Sequence, residues 1–320
     1  MRVLVTGASG FVGRAVVAQL ALDANVVVRA ASRGSPAGNA TAIEHVCSPE
    51  LSRQSDWRNA LHQTTAVVHA AARVHMMHET SADPLTSFRE VNVDGTARLA
   101  EQAAAAGVRR FVFLSSIKVN GERTAPDVPF NAEQPPAPSD AYGLSKWEAE
   151  LALRAIGERT GMEVAIVRPV LVYGPGVGAN FRRLMRALDA GVPLPLGAIP
   201  NRRSLVAIDN LTSLISVLLV HPRAAGGTFL ISDGHDMSTS ELLRRVAHAL
   251  GRIPRLLPVP PGLLRSLAGL TSQHELAGRL LDSLQVDITA TRARLDWKPT
   301  VTVDTALEAT VRHYRAHRSA

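Results

Sequence analysis

Cysteine is nearly absent from this chain of 320 residues. The single one, Cys47, cannot close an intramolecular disulfide, which excludes the disulfide-stapled secreted scaffolds and points to a reducing compartment. Long apolar runs are missing as well. The longest candidate, LISVLLV (214–220), stops well short of the roughly 20 residues that a membrane span needs. The opening MRVLVTG has neither the charged nor the apolar region of a secretory signal. These absences describe a cytoplasmic protein without stable membrane insertion. Aromatic residues make up 4% of the chain, and no basic run carries interleaved aromatics. The formal charge of +7 therefore does not describe a nucleic-acid surface. Its scattered arginines fit a general preference for Arg over Lys, or a small anionic substrate held by a few of them. Tyrosine and lysine number three each. Two of these six residues sit four apart in SDAYGLSKWEAE (139–150), as Tyr142 and Lys146.

What is present is enough apolar residue, 46%, to bury a large core, as one big domain with a smaller lobe. Short apolar runs alternate with helical patterns: MRVLVTG, NVVVRAA (25–31), AVVHAAA (66–72), RFVFLSS (110–116) and EVAIVRP (163–169) are separated by segments such as DGTARLAEQAAAAG (94–107). This alternation predicts an α/β fold with a doubly wound parallel sheet. After residue 169 the pattern loosens into a Gly/Pro-punctuated loop around one helix (173–197), a strand entering a helix (203–220), a strand (226–234) and a helix opened by a Ser-x-x-Glu capping box at Ser238. The expected division is 1–169 with 204–232 as a dinucleotide-binding unit, and 170–203 with 233–320 as a substrate lobe.

VTGASGFVGRAVV (5–17) places Gly7, Gly10 and Gly13 between a strand and a helix. Gly7 permits the tight turn, Gly10 lets the backbone approach a pyrophosphate, and Gly13 lets the helix pack close. Phe11 and Val12 open the helix whose N-terminus faces the phosphates. An acidic residue at the end of the second strand would bind the ribose of NAD; here Ser32 and Arg33 stand there. Arg33 suits the 2′-phosphate of NADP, or is an ordinary exposed arginine. Asp56 suits the adenine amino group, or caps a helix, or both.

Ser139 or Asp140 can cap the helix that carries Tyr142 and Lys146, and a spacing of four puts both on one face. An ammonium beside a phenol favours the phenolate and is expected to lower the tyrosine's pKa. Ser115 and Ser116 end a strand whose carboxyl end faces the crevice. A dinucleotide loop, a serine at a strand end and Tyr-x-x-x-Lys together form a hydride-transfer constellation.

TGASGFVG, DWRN, HAAA, NVDGT, SSIKVNG, YGLSK and RP…YGPG, in this order, resemble the extended short-chain dehydrogenase/reductase family, in its branch of sugar-nucleotide epimerases and dehydratases. RARLDWKPTVTVDTALEATV (292–311) resembles the family's closing segment, so the likeness runs almost end to end. It implies NAD(P) as cofactor, with Arg33 leaning the choice to NADP(H), and a nucleotide-diphosphate sugar as substrate, and leaves a homodimer open. It further implies that Ser116 polarises the substrate oxygen, Tyr142 transfers the proton, and Lys146 binds the nicotinamide ribose. Ala70, Ala71, Ala72 and Pro169 are implied along the cofactor's path, with Asn92 as a prop. Asn180 and Arg203 match positions that hold the diphosphate, and Arg279 is an offset counterpart of a later arginine. Leu171 stands near where UDP-galactose 4-epimerases carry an asparagine, and Ile117-Lys118 stand where the 4,6-dehydratases carry Asp-Glu. Lys118 cannot play a carboxylate's part, so the dehydratase reaction is rejected. The remaining expectation is hydride transfer at C4 of a nucleotide sugar, as a 4-epimerase or a 4-keto reductase. Reduction of a non-sugar ketone and a non-enzymatic NADP-binding regulator are the alternatives. His75 and His78 have metal-like spacing but no second ligand set, so no metal is expected. PVPPGLLRSLAGL (258–270) is an apolar segment that suits lobe packing, a partner or a membrane surface.

Overall fold

The apolar runs of the first half become strands buried on both faces, as a parallel sheet requires. A computed structural model describes residues 1–34, 43–74, 83–125, 127–270 and 274–317; His75 and His78 lie outside them. The strands are β1 (Arg2–Thr6), β2 (Val27–Ser32), β3 (Ile43–Cys47), β4 (Ala66–His69), β5 (Arg110–Leu114), β6 (Glu163–Pro169), β7 (Leu171–Tyr173), β8 (Leu205–Ala207) and β9 (Thr228–Ile231). Seven of them form one sheet in the order β3-β2-β1-β4-β5-β6-β9, parallel throughout. The chain runs outward from β1 to β3, then crosses back to β4. Its switch point therefore lies between the carboxyl ends of β1 and β4, where Thr6 stands beside His69.

The helices are α1 (Phe11–Leu20), α2 (Arg58–Leu61), α3 (Pro84–Phe88), α4 (Gly95–Ala105), α5 (Ala141–Thr160), α6 (Ala179–Asp189), α7 (Ile208–Val220), α8 (Thr239–Ala249), α9 (Pro261–Leu270), α10 (His274–Leu281), α11 (Thr289–Leu295) and α12 (Val303–Ala316). Side chains alternate across each strand. Val3 and Val5 face one core with Val16 of α1 and Leu214 and Leu218 of α7. Leu4, Val67 and Phe111 face the other, with Leu99 of α4 and Leu153 of α5. Each such leucine contributes about 1.5–3 kcal/mol by leaving water. A third core joins Phe181 and Met185 of α6, Leu243 and Val246 of α8, and Leu307 and Val311 of α12.

β3 has no apolar run to betray it: IEHVC is an edge strand paired on one side only and largely in contact with solvent. β8 pairs with β7 in a separate two-stranded sheet. The chain returns to the large sheet through α7, packed on α1, and through β9 beside β6. At α8, Ser238 accepts the Glu241 N–H at 3.0 Å, but the Glu241 carboxylate turns to Arg245 at 2.8 Å, so only half of the expected capping box forms.

Candidate active site

At the end of β1 the chain turns through Gly7, whose φ of +67° favours glycine. The Gly10 N–H donates to the Gly7 carbonyl at 2.9 Å, and a Cβ on Gly13 would lie 2.0 Å from that oxygen. A Cβ on Gly7 would come within 2.8 Å of the Ala71 nitrogen, so the Ala70–Ala71 backbone closes over the turn. No side chain caps α1. Its first N–H groups, at Phe11 and Val12, are left for an anion, and the cradle fits a dinucleotide pyrophosphate. Ser32 and Arg33 stand at the end of β2, with Arg33 exposed and the Ser32 hydroxyl donating to Gly34 O at 3.2 Å. Asp56 is turned to Arg58: it accepts the Arg58 backbone N–H at 3.1 Å and pairs with its guanidinium at 2.6 Å. Those bonds hold its carboxyl down at about 2.

Beneath the loop lies a group that sequence reading missed. His69 is wholly buried, its Nδ1 2.6 Å from Thr6 Oγ1 and its Nε2 2.9 Å from Thr96 Oγ1, with the ring stacked on Phe113. Burial, and then the charge of Lys146, push the imidazole down to about 3, so it is neutral. Its sequence signals were a polar residue closing an apolar strand and its place at the head of HAAA (69–72), neither of which gives it a role.

Asp140 caps α5, accepting the Gly143 N–H at 2.6 Å. Lys118 bonds the same carboxylate and also Glu122 at 2.6 Å. Ser116 caps the 3-10 turn Ile117–Val119, accepting the Lys118 N–H at 3.2 Å. A Cβ on Gly143 would lie 2.8 Å from Lys118 O, so the turn that carries Ser116 rests on the first turn of α5. There Tyr142 is half-buried, edge-on to Phe88 at 5.9 Å. One turn on, Lys146 is buried with its ammonium 4.1 Å from the centre of the Phe113 ring. Among the described residues it has no hydrogen bond or ion pair.

The expected lowering of the Tyr142 pKa is not found. Burial, with the Asp140 charge in support, pushes the phenol up to about 12. Burial takes Lys146 down to about 7, against the pull of Glu150. In both groups burial is the largest cause of the shift, and it acts against the charged form.

Asn92 sits in a π-helical turn (Arg89–Asp94), a feature frequent at functional sites. Its side chain accepts the Arg73 N–H at 2.8 Å and donates to Arg73 O and Ser145 Oγ, both at 3.0 Å. It thereby joins the loop after β4 to α5 between Tyr142 and Lys146. Behind them Glu150 binds Arg168 of β6, one residue before the buried Pro169.

Two residues before β8, Arg203 is clamped by its backbone to Met237 O at 2.9 Å and by its guanidinium to Asp282 O at 2.9 Å. Burial lowers its pKa, Asp282 opposes that, and the charge of Arg279 adds to the lowering. The fold thus brings Arg203 and Arg279 together, a like-charged pair that an anion would relieve. Asn180 is exposed on the first turn of α6. Leu171 is exposed at the start of β7. No group of three or more metal-ligating side chains occurs among the described residues.

The model of the NAD dependent epimerase/dehydratase family matches residues 3–232. A UDP-glucose 4-epimerase of Vibrio cholerae is 45% identical over 98% of this chain and 95% of its own. The N-acetyl-alpha-D-glucosaminyl-diphospho-ditrans,octacis-undecaprenol 4-epimerase of Escherichia coli O157:H7 is 28% identical over 82% of this chain and 77% of its own. Among solved structures, the dTDP-glucose 4,6-dehydratase of Streptomyces venezuelae with NAD and TYD bound superposes with a TM-score of 0.78 at 26% identity, covering 99% of this chain and 98% of that one. With its glycine cradle and switch-point crevice, this chain belongs to the NAD dependent epimerase/dehydratase family, enzymes of the extended short-chain dehydrogenase/reductase type.

Proposed function

We propose that the protein is a nucleotide-sugar 4-epimerase, inverting C4 of a UDP-hexose or UDP-N-acetylhexosamine for surface-polysaccharide synthesis in the cytoplasm. The observation that carries this reading is the 45% identity with a UDP-glucose 4-epimerase across nearly the whole chain, in a sequence that keeps Ser116, Tyr142 and Lys146 together. Residues 1–169 with 204–232 form the dinucleotide unit, and 170–203 with 233–320 the substrate unit. A dinucleotide bound at Gly7, Gly10 and Gly13 supplies the hydride acceptor and donor. Tyr142, as the phenolate, takes the proton from the C4 hydroxyl and returns it, the positive charge of a bound oxidised nicotinamide offsetting the burial that holds the phenol protonated. Ser116 donates a hydrogen bond to the same oxygen, and Lys146 binds the ribose. Arg203, Arg279 and Asn180 hold the diphosphate. Lys118 is committed to Asp140 and Glu122, and Ile117 is buried, so neither position offers a carboxylate for eliminating water.

One observation favours a second reading. Arg33 is exposed at the end of β2 where an acid would select NAD. It supports NADP(H), and with it a 4-keto reductase using an exchangeable cofactor. Both readings meet the same experiment. The purified protein is incubated with UDP-glucose and with UDP-N-acetylglucosamine, the C4 epimers are separated by chromatography, and any dinucleotide released on denaturation is identified. Epimer formation without added cofactor supports the epimerase. Turnover of a 4-keto sugar only with added NADPH, weakened by Arg33→Ala, sinks it in favour of the reductase.

A further inference from the structure

The segment between α8 and α10 has a use that the crevice does not explain. Residues 242–274 contain no aspartate or glutamate but five arginines, at 244, 245, 252, 255 and 265. Along the same stretch Ile253 is 93% exposed, Leu257 50%, Leu263 54% and Leu267 51%. In α9, Leu264 packs into the lobe core, while Leu263 and Leu267, four residues apart, form a stripe beside it that the core does not cover. Arg245 is neutralised by Glu241 and Asp304, and Arg265 by Asp282. Arg252 reaches one oxygen of Asp189 at 3.3 Å and stays half-exposed. Among the described residues, the Arg244 side chain donates only to a backbone carbonyl, Gly197 O at 3.2 Å, and Arg255 makes no ion pair. Arg244, His248 and Arg252 line a groove with Ile253, Pro254 and Leu256. Guanidinium groups in excess of their acidic partners, beside exposed aliphatic side chains, are what a peripheral membrane contact requires.

We propose that residues 252–267 dock the protein on an anionic membrane surface. Ile253, Leu257, Leu263 and Leu267 enter the headgroup region, and Arg244, Arg252 and Arg255 meet lipid phosphates. No helix among the described residues is long and apolar enough to cross a membrane, so the contact is peripheral and reversible. It does not depend on the reaction proposed above.

The test is flotation of the full chain with vesicles of phosphatidylglycerol and phosphatidylcholine, against phosphatidylcholine alone. The wild type floats with the anionic vesicles and is released as salt is raised toward about 0.5 M. Leu263→Glu/Leu267→Glu lowers the bound fraction at least tenfold, and Arg255→Ala about fivefold, with unchanged circular dichroism and melting temperature in both. The proposal is overturned by failure to float on the anionic vesicles, or by unchanged flotation of the double leucine variant. It is overturned equally by a wild-type dimer that does not float and that the leucine variant splits into monomers, since a second copy then covers the patch.

Discussion

Glu150 grips Arg168 from both ends of its guanidinium, accepting from Nε at 2.9 Å and from Nη2 at 2.6 Å, and neither side chain reaches solvent. Glu150 lies one turn past Lys146 on α5, and Arg168 lies near the end of β6. The Ser115 hydroxyl donates to Glu150 Oε1 at 2.5 Å, and Arg168 Nη1 donates to Asn120 Oδ1 at 2.9 Å. The pair therefore ties the helix of Tyr142 and Lys146 to the strand end and turn that carry Ser116.

Removing Arg168 leaves the Glu150 carboxylate in a dry interior with Arg154, at 3.3 Å, as its remaining partner cation among the described residues, which costs about 3 kcal/mol. Arg168→Met should lower the free energy of urea unfolding by that amount. Glu150→Gln in the same background should restore part of it, because no carboxylate is then left depending on the longer Arg154 contact alone. If the two losses simply add, the pair is not the coupled unit described here.

Lys146 gives stability a pH dependence whose sign follows from its shift. Its pKa falls from 10.5 to about 7 on folding, so between those values the unfolded chain binds more protons, and stability rises with pH. The stability is fully present above about 10.5 and is lost as pH falls through about 7. Lys146→Met lacks the group, so its advantage over the wild type should be largest below pH ~7 and shrink by a few kcal/mol as pH climbs. Urea midpoints at about pH 6.5 and about pH 9.5 measure this. A constant difference would place Lys146 in a wetter or paired setting.

The sheet was legible because parallel strands buried on both faces leave unbroken apolar runs, and six of the seven strands have one. β3 escaped because an edge strand needs no such run. The glycine loop was legible because its spacing is imposed by backbone contact, which the Gly13-to-Gly7 approach displays. The spacing of Tyr142 and Lys146 was legible, but their protonation was not, since desolvation depends on what α3, β5 and Asp140 place around them. His69 heads the HAAA motif, but its setting was not legible for a similar reason: its partners, Thr6 and Thr96, are distant in sequence and meet only in the folded chain.

Gly13→Ala tests the cradle. The new Cβ would sit 2.0 Å from the Gly7 carbonyl, so α1 must move off the turn. Dinucleotide affinity should fall at least a hundredfold, read by fluorescence titration, with a loss of about 2 kcal/mol or more in stability. Gly10→Ala meets the same oxygen at 3.2 Å and should be milder. Equal affinity in Gly13→Ala and the wild type would remove this loop from the cofactor site.

Arg203 and Arg279 test the anion site. Burial and the charge of Arg279 both disfavour the charged guanidinium of Arg203, and a diphosphate bound as proposed above would offset that cost. A guanidinium facing phosphate oxygens acts alike on substrate and transition state, and its loss should appear in KM more than in kcat. Arg203→Ala is expected to raise KM for the nucleotide sugar at least tenfold with kcat within about threefold. Arg279→Ala should do less on its own, because removing it also relieves Arg203. Steady-state kinetics on both single variants and the double distinguish this from a general loss of fold, which would lower the active fraction and hence kcat. If kcat falls and KM stays, Arg203 does not hold the diphosphate, and the buried guanidinium serves only its backbone clamp to Asp282.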